Sequence, residues 1–220
     1  MIVKGVKKKY KNRTILKDIT FEAGEGACVG ILGANGSGKS TLLKILAGII
    51  DGDAGEFLYN GVDLIKKEKA RSLQLGYVPQ NTPLLEELTA KDNLSLWYSK
   101  KAMEEELKCG VLKMLGVDEF LNVTVSKMSG GMKKRLSIGC SVAKKPAILL
   151  LDEPSSALDL VCKEQIVTYL KSFKASGGTV IIATHDLHEV EICDDLYILK
   201  DGTLHPYTYE GDVQDLIGRL

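Results

Sequence analysis

Apolar positions along this chain gather into short, nearly unbroken runs separated by stretches with a different spacing. Ala27 to Leu32, Ala147 to Leu151, Thr179 to Ala183 and Leu196 to Leu199 are such runs. They are too short for ordinary helices and lack the alternation of a half-exposed strand, so they predict strands buried on both faces. Between the first two lies Lys39 to Ala47, whose amphipathic spacing predicts a helix. Buried strands separated by helices predict a parallel sheet covered on both sides, and the fold class is α/β.

The middle of the chain follows another rule. From about residue 84 to residue 143 the spacing is almost wholly helical, with a capping box at Thr89-Ala90-Lys91-Asp92. Met103 to Leu115 carries apolar residues at helical spacing with charges between them. This region predicts a helical insertion in the α/β core. The first 25 residues and Glu56 to Asn60 predict short antiparallel strands at one edge. No repeat, low-complexity tract or long linker divides the chain, so residues 1–220 read as one domain.

Composition narrows the partners. Apolar residues make up 45% of the 220 and charged residues 26%, which is ordinary for a globular protein. The formal net charge of zero gives no global pull toward nucleic acid or anionic lipid. Short basic runs at Lys7-Lys8-Lys9, Lys133-Lys134-Arg135 and Lys144-Lys145 read as solvated faces. The five cysteines are odd in number and form no CxxC pair, so neither a zinc site nor a redox pair is indicated, and free thiols suggest a reducing compartment. The N-terminus has no apolar core of a secretory signal, and no apolar run is long enough to span a bilayer. A role at a membrane would have to pass through a partner.

Two segments carry chemistry. Gly33-Ala34-Asn35-Gly36-Ser37-Gly38-Lys39-Ser40 fits G-x-x-x-x-G-K-[ST], after a predicted strand and at the start of a predicted helix. Glycines there let backbone N–H groups curl around phosphate oxygens, and the helix N-terminus adds partial positive charge. Lys39 can reach the outer phosphates, and the Ser40 hydroxyl can ligate Mg²⁺. The second segment is Asp152-Glu153-Pro154, at the carboxyl end of a buried strand, where open α/β sheets bind ligands. Asp152 suits a Mg²⁺-holding role. Glu153, on the opposite face of the extended chain, is free to polarise a water.

Ser129-Gly130-Gly131 follows the helical region and precedes the basic segment Met132 to Leu136. In this order with the phosphate loop and the Asp-Glu pair, it closely resembles the ATP-binding cassette (ABC) ATPases over nearly the whole chain. That resemblance implies a P-loop NTPase (RecA-like) core with a mostly parallel sheet, an N-terminal antiparallel β subdomain and a helical insertion subdomain. It implies ATP bound by Tyr10, Gly33, Asn35, Gly36, Ser37, Gly38, Lys39, Ser40 and Thr41, with Tyr10 stacking on adenine. Read alone, Tyr10 is an exposed edge-strand aromatic. Catalytic roles fall by resemblance to Glu153, His185, Gln80 and Lys39, Mg²⁺ binding to Ser40, Gln80 and Asp152, and the D-loop to Ser156 and Asp159. Two positions depart from the family pattern: Met132 stands where glutamine is usual and Leu160 where proline is frequent.

The family mechanism then implies a head-to-tail dimer, homomeric or heteromeric, in which Ser129, Gly130 and Gly131 complete the ATP site of the opposite subunit. Transmembrane permease subunits would dock on the groove between the glutamine loop and the helical insertion, with the ATPase peripheral on the cytoplasmic face. The SGGM signature resembles the ABC-2-type exporter branch more than importers. A soluble ABC ATPase acting on ribosomes or DNA is the alternative. It fits less well, because those branches usually carry tandem cassettes, coiled coils or basic arms. No nucleic acid is expected as a partner.

Overall fold

The structure, a computed structural model, describes residues 1–220. The chain opens with β1 (Ile2–Tyr10), β2 (Arg13–Glu22) and β3 (Cys28–Leu32), followed by α1 (Lys39–Leu46). Next come β4 (Ala54–Tyr59), β5 (Val62–Asp63), α2 (Glu68–Gln74) and β6 (Leu75–Val78). The helical arm holds α3 (Ala90–Ser95), α4 (Lys100–Cys109), α5 (Val111–Met114) and α6 (Gly130–Ser141), with two 3₁₀ turns before α6. The chain then runs through β7 (Ile148–Asp152), α7 (Leu160–Ala175), β8 (Thr179–Ala183), α8 (Leu187–Val190), β9 (Asp195–Lys200), β10 (Thr203–Tyr207) and α9 (Val213–Arg219).

The strands form one sheet in the order β5-β4-β1-β2-β10-β9-β3-β8-β7-β6. From β9 to β6 neighbouring strands are parallel, whereas β1 pairs antiparallel with both β2 and β4. All five residues of β3, β7 and β8 are buried, as unbroken apolar runs require. Their side chains split by parity. Ile148, Leu150, Ile181 and Ala183 pack with α1 and the N-terminal strands, while Leu149, Leu151, Val180 and Ile182 pack with α7 and the arm.

The α/β class, the edge strands and the helical insertion agree with expectation, and the Thr89–Asp92 capping box forms in both directions. Four details differ. β1 and β2 are long, at 9 and 10 residues, and β6 and β10 were not foreseen as strands. The expected helix from Met103 to Leu115 breaks at Gly110. There Glu106 Oε2 reaches back to accept from Val111 N at 2.8 Å, and a β-carbon at residue 110 would collide with that carboxylate.

The fourth correction concerns the basic run Lys133-Lys134-Arg135. Lys134 and Arg135 are buried, because α6 lies between the sheet and the rest of the arm. Lys134 Nζ donates to the carbonyls of Pro79 and Gln80, each at 2.9 Å. Arg135 Nη1 donates to Leu115 O at 3.0 Å, with the guanidinium 5.0 Å from the Phe120 ring centroid. Lys133, half-exposed, pairs with Glu86 at 3.1 Å.

Candidate active site

β3 ends at Leu32, and the next six residues turn back over its carboxyl end before α1 begins. Gly38, the residue before α1, has φ 115°, and a β-carbon there would press on the Ile15 and Leu16 side chains. No side chain caps α1, so its leading N–H groups stay open to an anion. Asn35 and Gly36 are exposed at the tip, while Ser37, Ser40 and Thr41 are half-buried. The Ser37 hydroxyl oxygen is buried without a hydrogen-bond partner, which fits a loop shaped to receive a polar ligand. Lys39 is buried, and its ammonium donates to Gly33 O at 2.6 Å and Ala34 O at 3.4 Å. Burial pulls its pKa below the usual lysine value, opposed by the carboxylates of Glu153 and Asp152.

The acidic pair sits two strands away. Ser40 Oγ donates to Asp152 Oδ1 at 3.0 Å. Burial raises the Asp152 carboxyl above the ordinary range, and the Ser40 hydrogen bond works against that rise. Glu153 leaves β7 in the left-handed region, with φ 47°, and its N–H donates to Ala183 O at 2.8 Å. This turn aims its carboxylate at the loops. Oε1 lies 3.9 Å from Lys39 Nζ and 3.6 Å from His185 Nδ1, and Oε2 accepts from Gln80 Nε2 at 3.1 Å. Lys39, Gln80, Glu153 and His185 follow β3, β6, β7 and β8, four adjacent parallel strands, and meet at one carboxylate. The group can hold an anion, bind a hard cation between Ser40 and Asp152, and take a proton at Glu153.

Other expected residues lie apart from this cluster: none joins it by a side-chain hydrogen bond or ion pair, although Ser156 N donates to Glu153 O at 3.3 Å. Ser129 caps α6, its hydroxyl accepting from Met132 N at 3.2 Å, and it is exposed together with Gly130. Gly131 is buried against α7, where a β-carbon would collide with the Cys162 thiol. Asp159 caps α7 by accepting from Cys162 N at 2.9 Å, and Ser156 is exposed in the preceding turn. Tyr10 closes β1, 47% exposed, with Lys8 Nζ 5.0 Å from its ring centroid.

Sequence reasoning missed two features beside the cluster. One is the Lys134 clamp on the segment carrying Gln80. The other is Glu189 on α8, 1% exposed, whose carboxylate accepts from the hydroxyls of Ser155 and Thr184. A Glu four residues after His185 gave no signal of its own, since its environment is made by tertiary packing.

Comparison with known proteins places the geometry. The sequence profile described as "ABC transporter" matches residues 16–156. The linearmycin resistance ATP-binding protein LnrL of Bacillus subtilis (strain 168) is 35% identical over 98% of this chain and 70% of its own length. The Nod factor export ATP-binding protein I of Rhizobium etli is 32% identical over 98% of this chain and 69% of its own. The lantibiotic transport ATP-binding protein SrtF of Streptococcus pyogenes is 30% identical over 92% of this chain and 87% of its own. Among solved structures, a dimeric ATP-binding cassette in a post-hydrolysis state, bound to ADP and Pi, superposes with a TM-score of 0.84. It is 30% identical, over 96% of this chain and 99% of that one. With the loop, the acidic pair and the arm arranged as described, this chain belongs to the ABC transporter family, as one of its ATP-binding and ATP-hydrolysing subunits.

Proposed function

We propose that this chain hydrolyses ATP with Mg²⁺ in a head-to-tail dimer and drives export through transmembrane partner subunits. The observation that carries the chemistry is the convergence of Lys39, Gln80 and His185 on the Glu153 carboxylate. In this reading the loop N–H groups and Lys39 hold the β- and γ-phosphates, and Tyr10 stacks on the adenine. Ser40, Asp152 and Gln80 would hold Mg²⁺, which neutralises charge on the phosphate oxygens.

Glu153 accepts the proton of the attacking water, and His185 steadies the γ-phosphate. The Gln80 amide donates to one oxygen of Glu153, which leaves the other free to face the water. Ser129, Gly130 and Gly131 reach the γ-phosphate of the opposite subunit. Ser129 and Gly130 are exposed at the start of α6, and no hydrogen bond or ion pair joins them to the cluster of their own chain, which supports that role.

Transport rests on the relatives' printed roles and on a surface. Leu85, Leu96 and Trp97 are more than half exposed beside Tyr77 and Pro83, lining a groove between the arm and the segment carrying Gln80. A cytoplasmic segment of a transmembrane subunit would bury these side chains and press on Gln80 from behind. No helix of this chain is long and apolar enough to cross a membrane. The test is Glu153→Gln. Turnover should fall by roughly 10²–10⁴, because the amide cannot take the proton, while ATP still binds. Retention of more than half the wild-type rate would remove Glu153 from this role.

A further inference from the structure

We propose that Glu189 is a positioning residue for ATP hydrolysis: its buried carboxylate ties the turn that follows Glu153 to the loop that carries His185. The inference rests on the roles proposed above for those two residues. Ser155 lies two residues after Glu153, and Thr184 immediately before His185. Each donates its hydroxyl to a different oxygen of Glu189. Thr184 Oγ1 also accepts from Asp186 N at 2.9 Å, and Asp186 is in turn paired with Lys163 on α7.

The network fixes both sides of the 3.6 Å approach between His185 and Glu153. One main-chain bond also links the two segments, Glu153 N to Ala183 O at 2.8 Å. His185 itself is more than half exposed, so packing alone does not set its ring. When ionised, a carboxylate accepting two hydroxyls at 1% exposure is an arrangement that an amide cannot reproduce, because one of the amide's two ends must donate. A packing role is equally available to a buried side chain. The two roles differ in what they disturb: a packing residue lowers stability, whereas a positioning residue lowers turnover and spares nucleotide binding.

The experiment measures steady-state ATPase, ATP affinity and thermal melting for wild type, Glu189→Gln, His185→Ala and the double variant. Glu189→Gln should lower kcat about tenfold to a hundredfold, with ATP affinity within about twofold. In the His185→Ala background its further loss should be much smaller than in wild type, since the residue acts largely through His185. Should Glu189→Gln not fold, Thr184→Val and Ser155→Ala each remove one hydroxyl and are read the same way. An unchanged kcat, a full multiplicative loss in the double variant, or ATP affinity falling in step with the melting temperature would each overturn the proposal. If His185→Ala turns over as wild type does, the site assignment beneath it fails as well. If His185→Ala is slow and Glu189→Gln is not, only this inference fails.

Discussion

Lys134 Nζ lies 2.9 Å from the main-chain oxygen of Gln80, whose own side chain donates to Glu153 at 3.1 Å. The helix that Ser129 caps is thereby joined to the proposed catalytic carboxylate through a single residue. Burial lowers the Lys134 pKa, with Asp152, Glu189 and Glu153 opposing that fall, so its charge belongs to the site although it touches none of these groups.

Replacing Lys134 by methionine keeps the stem and removes both bonds, leaving the carbonyls of Pro79 and Gln80 without their donor. Urea unfolding should show a loss of about 1–3 kcal/mol. An unchanged midpoint would mean that the carbonyls find water instead.

Tyr10 gives a direct test of the adenine platform. Stacking is worth roughly 1–3 kcal/mol per base, so Tyr10→Ala should weaken ATP binding clearly and Tyr10→Phe hardly at all. Equal affinity for Tyr10→Ala and wild type, measured by equilibrium titration, would leave Tyr10 an ordinary edge-strand aromatic.

Ser129 tests the shared site. Ser129→Arg should leave ATP affinity of the isolated subunit within about threefold. It should still abolish ATP-induced dimerisation in the Glu153→Gln background, followed by sedimentation. A loss of binding as complete as that of Lys39→Ala would place the signature in its own chain's site.

The pH dependence of folding should carry the mark of Glu189. Burial raises its carboxyl from 4.5 to about 7, more than its hydroxyl partners and Lys163 lower it. Asp186 adds to the rise, while Lys134 and the Cys193 thiol also face the group. Between those two values the folded chain keeps a proton that the unfolded chain has shed. Stability from this group is therefore complete below about pH 4.5 and is lost as pH rises to about 7. The loss is on the order of 3 kcal/mol at most, and it should be absent from the stability-versus-pH curve of Glu189→Gln. Parallel curves for the two proteins would show that the carboxyl is not perturbed by its burial.

Much of this was readable because it depends on local chemistry. The phosphate loop needs its glycines and Lys39 in register, and β3, β7 and β8 announce themselves as apolar runs. The resemblance supplied Gln80 and His185, and the fold brings both to Glu153. What escaped depends on neighbours far away in sequence. β6 holds Gly76 and Tyr77 among its four residues and is a strand because β7 pairs with it. Lys134 and Arg135 look solvated until the arm folds over them. The break at Gly110 is made by the return of the Glu106 carboxylate.

The chain leaves the sheet after Val78 and rejoins it at Ile148, on adjacent parallel strands, so the whole arm hangs from one edge. Yet Leu94, Leu112, Leu136 and Ile138 of the arm share one apolar cluster with Leu149, Leu151 and Ile182 of the sheet. A swing about the two connections would pry that cluster open and wet it. Sliding of packed side chains past one another, by about 1–2 Å, keeps it closed. The arm is built for shear. A push at Trp97 would reach Ser129 as a lateral displacement of α6, with Lys134 drawing the Gln80 segment along.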